Sequence, residues 1–341
     1  MIKIYDTHYK FLKLLPSCRN IYTTETLSTG LNALCFQVPC KDEFLNLIQE
    51  ENYVETADYA FVIKELVLED NDFITVYCSP NIEQLTGRIF PVVDALEKAL
   101  PQVYTYCLSL GDWTLDYQSK NLEIATYQLP RVSGYEMIEL LAADYGQDLW
   151  FDTKNKVLRV YDRMGSEFGA FYSNELRLKQ LIKQSSTNDY FTELHPIGKD
   201  GLTIGHINKD KDNLEDFSYS DKYIEKYYID EDIDAMEILK EKAEKYLADN
   251  CMPKASYKLL LSELGEKAQL GDTIQLVDKL KRIKQKQRIV KIIRYLREPE
   301  RDSVEISNLQ ADFARDFVKA QKEMKKEIQS IKKQLADLTR G

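Results

Sequence analysis

The apolar residues of the N-terminal quarter recur in short runs broken by turn residues. Met1–Tyr5, Ile21–Leu27, Cys35–Val38, Phe61–Glu69 and Phe73–Ser79 alternate or run apolar, which predicts strands, with turns at Thr29-Gly30 and Asp70-Asn-Asp72. They predict a first β-domain of about 80 residues. Between Pro80 and Leu100 the pattern changes: Val92, Val93, Leu96 and Leu100 fall on one helical face, Pro80 suits a helix start, and Pro101 ends it. Trp113 and Leu115, after Gly111-Asp112, predict another strand. Ser133-Gly-Tyr-Glu136 is a capping box, in which the serine and the glutamate three residues on satisfy free amide donors. Met137, Ile138, Leu141 and Tyr145 then form an apolar helix face, and Gly146 is a left-handed C-terminal stop. Leu149–Phe151 and Val157–Tyr161 flank Asp152-Thr-Lys-Asn-Lys156 as a β-hairpin. Residues 85–183 thus predict an α+β domain inserted into the first.

Phe191–Ile204, with the turn Asp200-Gly201, predicts a hairpin returning to the first β-domain. Ile233–Asn250 follows as a connecting helix, with Ile233, Met236, Leu239, Ala243, Tyr246 and Leu247 inward. Tyr257–Leu261, Thr273–Val277, Arg288–Tyr295 and Val304–Ile306, separated by Gly265, Gly271-Asp272 and Glu298–Asp302, have the spacing of a small closed barrel or sandwich. From Phe313 the period becomes helical. Phe317, Met324, Ile328, Ile331, Leu335 and Leu338 are spaced by sevens, fours and threes, the seam of a coiled coil, and isoleucine at both core positions favours three strands or more. The alternative is an amphipathic helix docked on its own barrel.

At 341 residues the chain predicts two to four domains. A net charge of −10 argues against a nucleic-acid surface, which would show a basic stripe. The one basic cluster, Lys279–Lys286, reads as a solvated strand connection or, failing that, a site for an acidic partner. Lys3, Asp6, Lys10 and Lys13 interrupt the apolar residues of the N-terminus, so no signal-peptide core is expected, and no run reaches the length of a membrane helix. The expectation is a soluble chain made in a cytoplasm. Cys18, Cys35, Cys40, Cys78, Cys107 and Cys251 lack a Cys-x-x-Cys spacing and read as small buried hydrophobes.

Chemistry is sparse. Of three histidines, His8, His195 and His206, the last two flank the Gly198–Gly201 turn, but nothing marks a further metal ligand. Acidic runs at Glu69–Asp72, Glu215-Asp216 and Asp230–Asp234 read as solvated turns rather than a paired-carboxylate site. Phosphate-loop, serine-elbow and zinc-protease motifs are absent from the sequence. The expectation is no catalytic, cofactor-binding or metal residue. Tyrosine is abundant, 22 residues, and Tyr219, Tyr223, Tyr227 and Tyr228 read as a subunit interface, ordinary packing, or a surface for sugar stacking.

The order of motifs carries a resemblance. Gly111-Asp-Trp113, Ala143–Gly146 with Leu149–Asp152, Val157–Tyr161, Asn174–Leu178, His195–Leu202, Leu214–Tyr219 and Leu270–Val277 with Arg288–Val290 look like the phage and prophage tail-hub family. That family covers the N-terminal part of tail-associated lysins, called prophage endopeptidase tail proteins, and is similar to the baseplate hub of contractile-tailed phages. The resemblance implies a β-rich α+β chain with two small β-barrel hub domains, an inserted α+β domain and a C-terminal coiled-coil-like helix. Its expected division is 1–84 with 185–230, then 85–184, 231–310 and 311–341. It further implies a homotrimer whose six barrels form a ring in the virion tail tip, adapting a sixfold tube to a threefold tip. The partners implied are the distal tail protein, tail-tube and tape-measure proteins, and a tip or receptor-binding protein at the C-terminal helix, with no membrane and no sequence-specific nucleic acid. Because the sequence stops at Gly341, wall-degrading activity is expected on another polypeptide. The rival readings are a tail-associated peptidoglycan hydrolase using Glu215 or Asp216, and a cell-wall glycan-binding module.

Overall fold

The computed structural model describes residues 2–68, 72–167, 171–173, 178–187, 190–231, 233–261, 268–278 and 283–307. The chain divides into two compact units, Met1–Leu181 with Lys258–Ile306, and Ile182–Tyr257. In chain order the strands are β1 (Ile2–Tyr5), β2 (Phe11–Leu15), β3 (Arg19–Thr26), β4 (Leu31–Pro39), β5 (Tyr53–Glu55), β6 (Ala60–Leu68), β7 (Phe73–Pro80), β8 (Ile89–Ala99), β9 (Thr114–Tyr117), β10 (Ile124–Ser133), β11 (Asp148–Asp152), β12 (Val157–Tyr161) and β13 (Phe171–Ser173). There follow β14 (Leu178–Ser186), β15 (Glu193–Ile197), β16 (Leu214–Glu215), β17 (Glu225–Ile229), β18 (Lys254–Leu261), β19 (Thr273–Asp278), β20 (Ile283–Tyr295) and β21 (Ser303–Ser307). The helices are α1 (Glu83–Thr86), α2 (Leu100–Leu108), α3 (Gly134–Asp144) and α4 (Met236–Asn250).

The main sheet runs in the order β14-β18-β21-β20-β3-β4-β7-β6-β5-β1-β2, with β19 on β20 and β13 on β19. Alternation in β3 buries Ile21, Thr23 and Glu25, and the apolar inward set of β1, β4, β6 and β7 (Ile2, Ile4, Phe36, Val38, Phe61, Ile63, Val76) closes over one core. The topology departs from expectation in two ways. The described ladder has ends at β14 and β2, so among the described residues it does not close into separate barrels. The strands that extend the N-terminal sheet come mostly from the C-terminal part of the chain, with β13 and β14 beyond them, and none of its described strands lies within 187–230. The length of β20 explains this: its first half pairs with β19 (Asp278↔Ile283 to Thr273↔Arg288) and its second half reaches β3 (Lys291↔Thr26 to Tyr295↔Tyr22).

A polar group is buried at that seam. Glu25 accepts from Tyr59 Oη at 3.1 Å and faces Arg294 Nε at 3.6 Å. Burial raises the Glu25 carboxyl above the ordinary carboxylate range, against the lowering pull of Arg294 and Tyr59. A carboxyl raised in the folded state adds stability below its unfolded pKa and loses it as pH rises through the folded value. The Glu25→Gln variant should therefore gain on the wild type as pH rises from 4.5 towards neutrality, read by urea denaturation at each pH. Parallel pH profiles for the two proteins would refute this role for Glu25.

Residues 82–161 form an α+β module within the first unit. α2 and α3 pack between the β8–β10 ribbon and the sheet β11-β12-β9, around Val93, Val103, Tyr104, Cys107, Ile138, Leu141, Phe151 and Leu158. The helix expected over 80–100 is a four-residue turn of helix followed by strand β8, and Pro101 lies in the first turn of α2, where its missing N–H leaves nothing unpaired. Other local signals hold. Ser133 Oγ accepts from the Glu136 amide at 3.1 Å, Glu136 Oε2 accepts from the Ser133 amide at 2.8 Å, and Gly146 sits at φ +64°. β11 and β12 are the expected hairpin, to which β9 adds in parallel.

The module is joined to the main sheet by buried polar contacts. Phe151 N donates to Gly30 O at 3.0 Å, Ala60 N donates to Thr153 Oγ1 at 3.0 Å, and Arg288 of β20 donates to both oxygens of Asp148 on β11.

In the second unit, β16-β15-β17 form a sheet of their own, β16 antiparallel and β17 parallel to β15. Leu194, Leu214, Leu239, Ala243 and Leu247 make its core with Phe191, so α4 presents the face its sequence predicted except at Met236, which is half-buried and outside that core. The hairpin expected over 191–204 is wider: after β15 the chain makes turns at Lys199–Gly201 and Gly205–Ile207 and returns only at β16.

Candidate assembly surfaces

The expected trimer seam, Phe317, Met324, Ile328, Ile331, Leu335 and Leu338, lies outside the described residues. Two exposed apolar surfaces are described, one in each unit.

In the first unit, β8 and β10 pair only with each other among the described residues, as a ribbon. Its inner positions Phe90, Val93, Ala95 and Ala125 enter the module core. Its outer positions Ile89, Val92, Leu96 and Ile124 are exposed, Ile89 by 61% and Ile124 by 65%. Isolated exposed apolar residues are ordinary, whereas several on one ribbon have the character of an interaction surface. The ribbon edges, which pair with no further strand among the described residues, add backbone groups to it.

In the second unit the tyrosine cluster separates by strand parity. Tyr227 and Tyr228 are neighbours on β17 and point to opposite faces. Tyr228 packs against Tyr246 of α4 with ring centroids 5.4 Å apart. Tyr219, Tyr223 and Tyr227 are exposed, Tyr223 by 74%. Tyr227 lies beside the His195 ring at 5.3 Å, and Phe217 meets Tyr223 edge-on at 4.8 Å.

The carboxylates proposed for hydrolysis are engaged otherwise. Asp216 is held below its ordinary pKa by hydrogen bonds from the Ser218 hydroxyl and amide, the amide at 2.9 Å. A carboxyl so held is a poor general acid. Glu215 accepts from Asn213 Nδ2 at 3.0 Å and from Lys211 Nζ at 3.4 Å. Cys18 and Cys107 are buried, and burial pushes both thiols up to about 12, the behaviour of unreactive core cysteines. His206 lies in the Gly205–Ile207 turn, and the groups the structure brings to His195 are Glu193 and Glu225. Among the described residues no helix is long and apolar enough to cross a membrane.

Comparison with known proteins places this geometry in context. Residues 172–316 match the family model described as prophage endopeptidase tail. The fold matches the prophage tail protein gp18 from Listeria monocytogenes with TM-score 0.65 and 14% identity, over 95% of this chain and 99% of that one. It matches the 43 kDa tail protein of prophage MuSo2 from Shewanella oneidensis with TM-score 0.65 and 14% identity, over 91% and 98%. A third match is the E. coli c3393 protein, a component of the type VI secretion system described as similar in structure to T4 bacteriophage tail proteins gp27 and gp5. Its TM-score is 0.50 at 12% identity, over 90% of this chain and 76% of that one. No curated protein matches the chain. The chain has the fold of prophage tail proteins, and its C-terminal part resembles the prophage endopeptidase tail family in sequence as well.

Proposed function

We propose that this protein is a structural component of a phage or prophage tail tip, a hub subunit that closes the distal end of the tail tube. The observation that carries this reading is the fold likeness to a prophage tail protein over 95% of this chain and 99% of that one. Three copies form a ring in which the N-terminal strands β1–β7 and the C-terminal strands β18–β21 serve as two hub modules per subunit. Six modules from three chains adapt a sixfold tube to a threefold tip. The exposed β8–β10 ribbon and Tyr219, Tyr223 and Tyr227 suit contacts with neighbouring copies, with distal tail protein, or with tube and tape-measure proteins. The seam from Phe317 to Leu338 joins the three copies or docks a further tip protein. The role is non-catalytic: despite the family's description, Glu215 and Asp216 are bound into local turns rather than paired across a cleft.

Light scattering on the full chain and on a version stopped at Asp312 tests this. A mass of three times 39.7 kDa that falls on truncation is the expected result. A protein that stays monomeric at high concentration and releases soluble fragments from purified cell wall would overturn it.

A further inference from the structure

We infer that Glu193, His195 and Glu225 form a binding site for a first-row divalent cation of the zinc class, tying β15 to β17 in the second unit. One ligand-type atom from each lies within 4.8 Å of the others. The arrangement follows from the strands. Glu193 and His195 are two residues apart on β15 and so share a face, and the parallel register sets Glu225 directly beside Glu193.

That face is electrostatically unbalanced as it stands. Glu193 has Glu215 in register on one side and Glu225 on the other, and like charges directly opposite on neighbouring strands destabilise a sheet. The nearby lysines do not resolve this. Lys211 lies with Glu215 at 3.4 Å, and Lys226, on the opposite face of β17, lies over the Phe191 ring at 5.3 Å. Glu193 Oε1 accepts from Asn213 Nδ2 at 2.5 Å, which orients the carboxylate without neutralising it. Glu193 is nevertheless only 9% exposed.

The imidazole supplies an independent sign. His195 Nε2 is shielded from solvent and has no hydrogen-bond partner among the described residues, although Glu193 Oε1 stands 3.3 Å away. A buried polar atom left unpaired in this way calls for a ligand. Zinc bonds of about 2.0–2.2 Å in tetrahedral geometry put neighbouring ligand atoms about 3.4 Å apart. The His195–Glu193 separation matches that edge. Two carboxylates and one neutral imidazole cancel a divalent charge, and mixed nitrogen and oxygen ligands favour zinc-class ions over magnesium or calcium. Exposure at Glu225 leaves the fourth position to water. Asn213 acts as a positioning residue, fixing Glu193 from outside the ligand set.

The test is calorimetric titration of the chelator-treated full chain with zinc chloride. Uptake of one zinc per chain with a rise in thermal midpoint is expected. Glu225→Gln, at an exposed position that leaves folding intact, should weaken binding by more than about 100-fold, and Asn213→Ala by about 10–100-fold. His206→Ala should bind as wild type does. No zinc uptake by the wild type, or undiminished uptake by Glu225→Gln, would overturn the site, and calcium bound in preference to zinc would overturn its assignment to this class.

Discussion

Replacing Arg288 with alanine should lower the unfolding free energy by about 3–5 kcal/mol, the cost of leaving a buried partner charge uncompensated. Arg288 Nη2 donates to Asp148 Oδ2 at 2.5 Å and to Met164 O at 2.5 Å, Nη1 donates to Asp148 Oδ1 at 3.4 Å, and Nε donates to Gly271 O at 2.9 Å. Both side chains are almost enclosed, at 11% and 8% exposure. Without the guanidinium, Asp148 keeps one donor, the Met164 amide at 2.7 Å, and two carbonyls lose theirs. Urea denaturation followed by circular dichroism reads the loss. Removing both charges together, Arg288→Met with Asp148→Leu, should recover most of it, because well-packed apolar groups replace a buried pair at little net cost. A loss below about 1 kcal/mol for Arg288→Ala would mean that the pair behaves as an exposed bridge. The α+β module would then be held to the sheet by its other contacts.

These joints mark where sequence reasoning reaches its limit. The strand at Ile21–Leu27 was legible because a period of two survives where one face is buried and the other is not, and those at Phe61–Glu69 and Phe73–Ser79 because they are short apolar runs rich in β-branched and aromatic residues. The Ser133 capping box and the Gly146 stop were legible because their partners lie within four residues. β8 was not. Its buried residues, Phe90, Val93 and Ala95, are unevenly spaced, and beyond them Glu97 takes φ +50° where the ladder to β10 shifts register, so the apolar spacing lacks a period of two and mimics a helix. β2 hid for the opposite reason: as an edge strand it buries only Leu15, and its apolar residues show no period. The pairing of β20 with β3 joins residues more than 260 apart, and the Arg288–Asp148 contact spans 140. No local pattern encodes such contacts. The Glu193, His195 and Glu225 group lies between these cases. Glu-x-His on a strand is visible in sequence, but its third member depends on a parallel register that only the fold supplies.

Gly30→Ala should destabilise the same joint by about 3 kcal/mol, and Gly146→Ala, its matched control, by only about 1 kcal/mol, since the left-handed conformation alone costs roughly 1–2 kcal/mol and forced overpacking adds a similar amount. The two glycines share a backbone conformation, φ +65° at Gly30 and φ +64° at Gly146. Their surroundings differ. A Cβ at Gly146 meets nothing within 4 Å, whereas at Gly30 it would fall on the Leu149 carbonyl and within 2.9 Å of Leu149 Cβ. Backbone cannot yield as a flexible side-chain tip can, and the Phe151 amide donating to Gly30 O at 3.0 Å holds the turn against β11. Asparagine separates strain from crowding, because it tolerates positive φ but still carries a Cβ. Gly146→Asn should therefore unfold close to wild type, and Gly30→Asn should stay as damaged as the alanine variant. Equal losses at the two positions would assign the whole effect to backbone conformation and remove the close approach of Gly30 to Leu149 from the contacts that hold the module to the sheet. Under the proposed hub role this joint would transmit load between tube and tip, so the Gly30 variants, unlike Gly146→Asn, should also lower the yield of assembled ring relative to free chain.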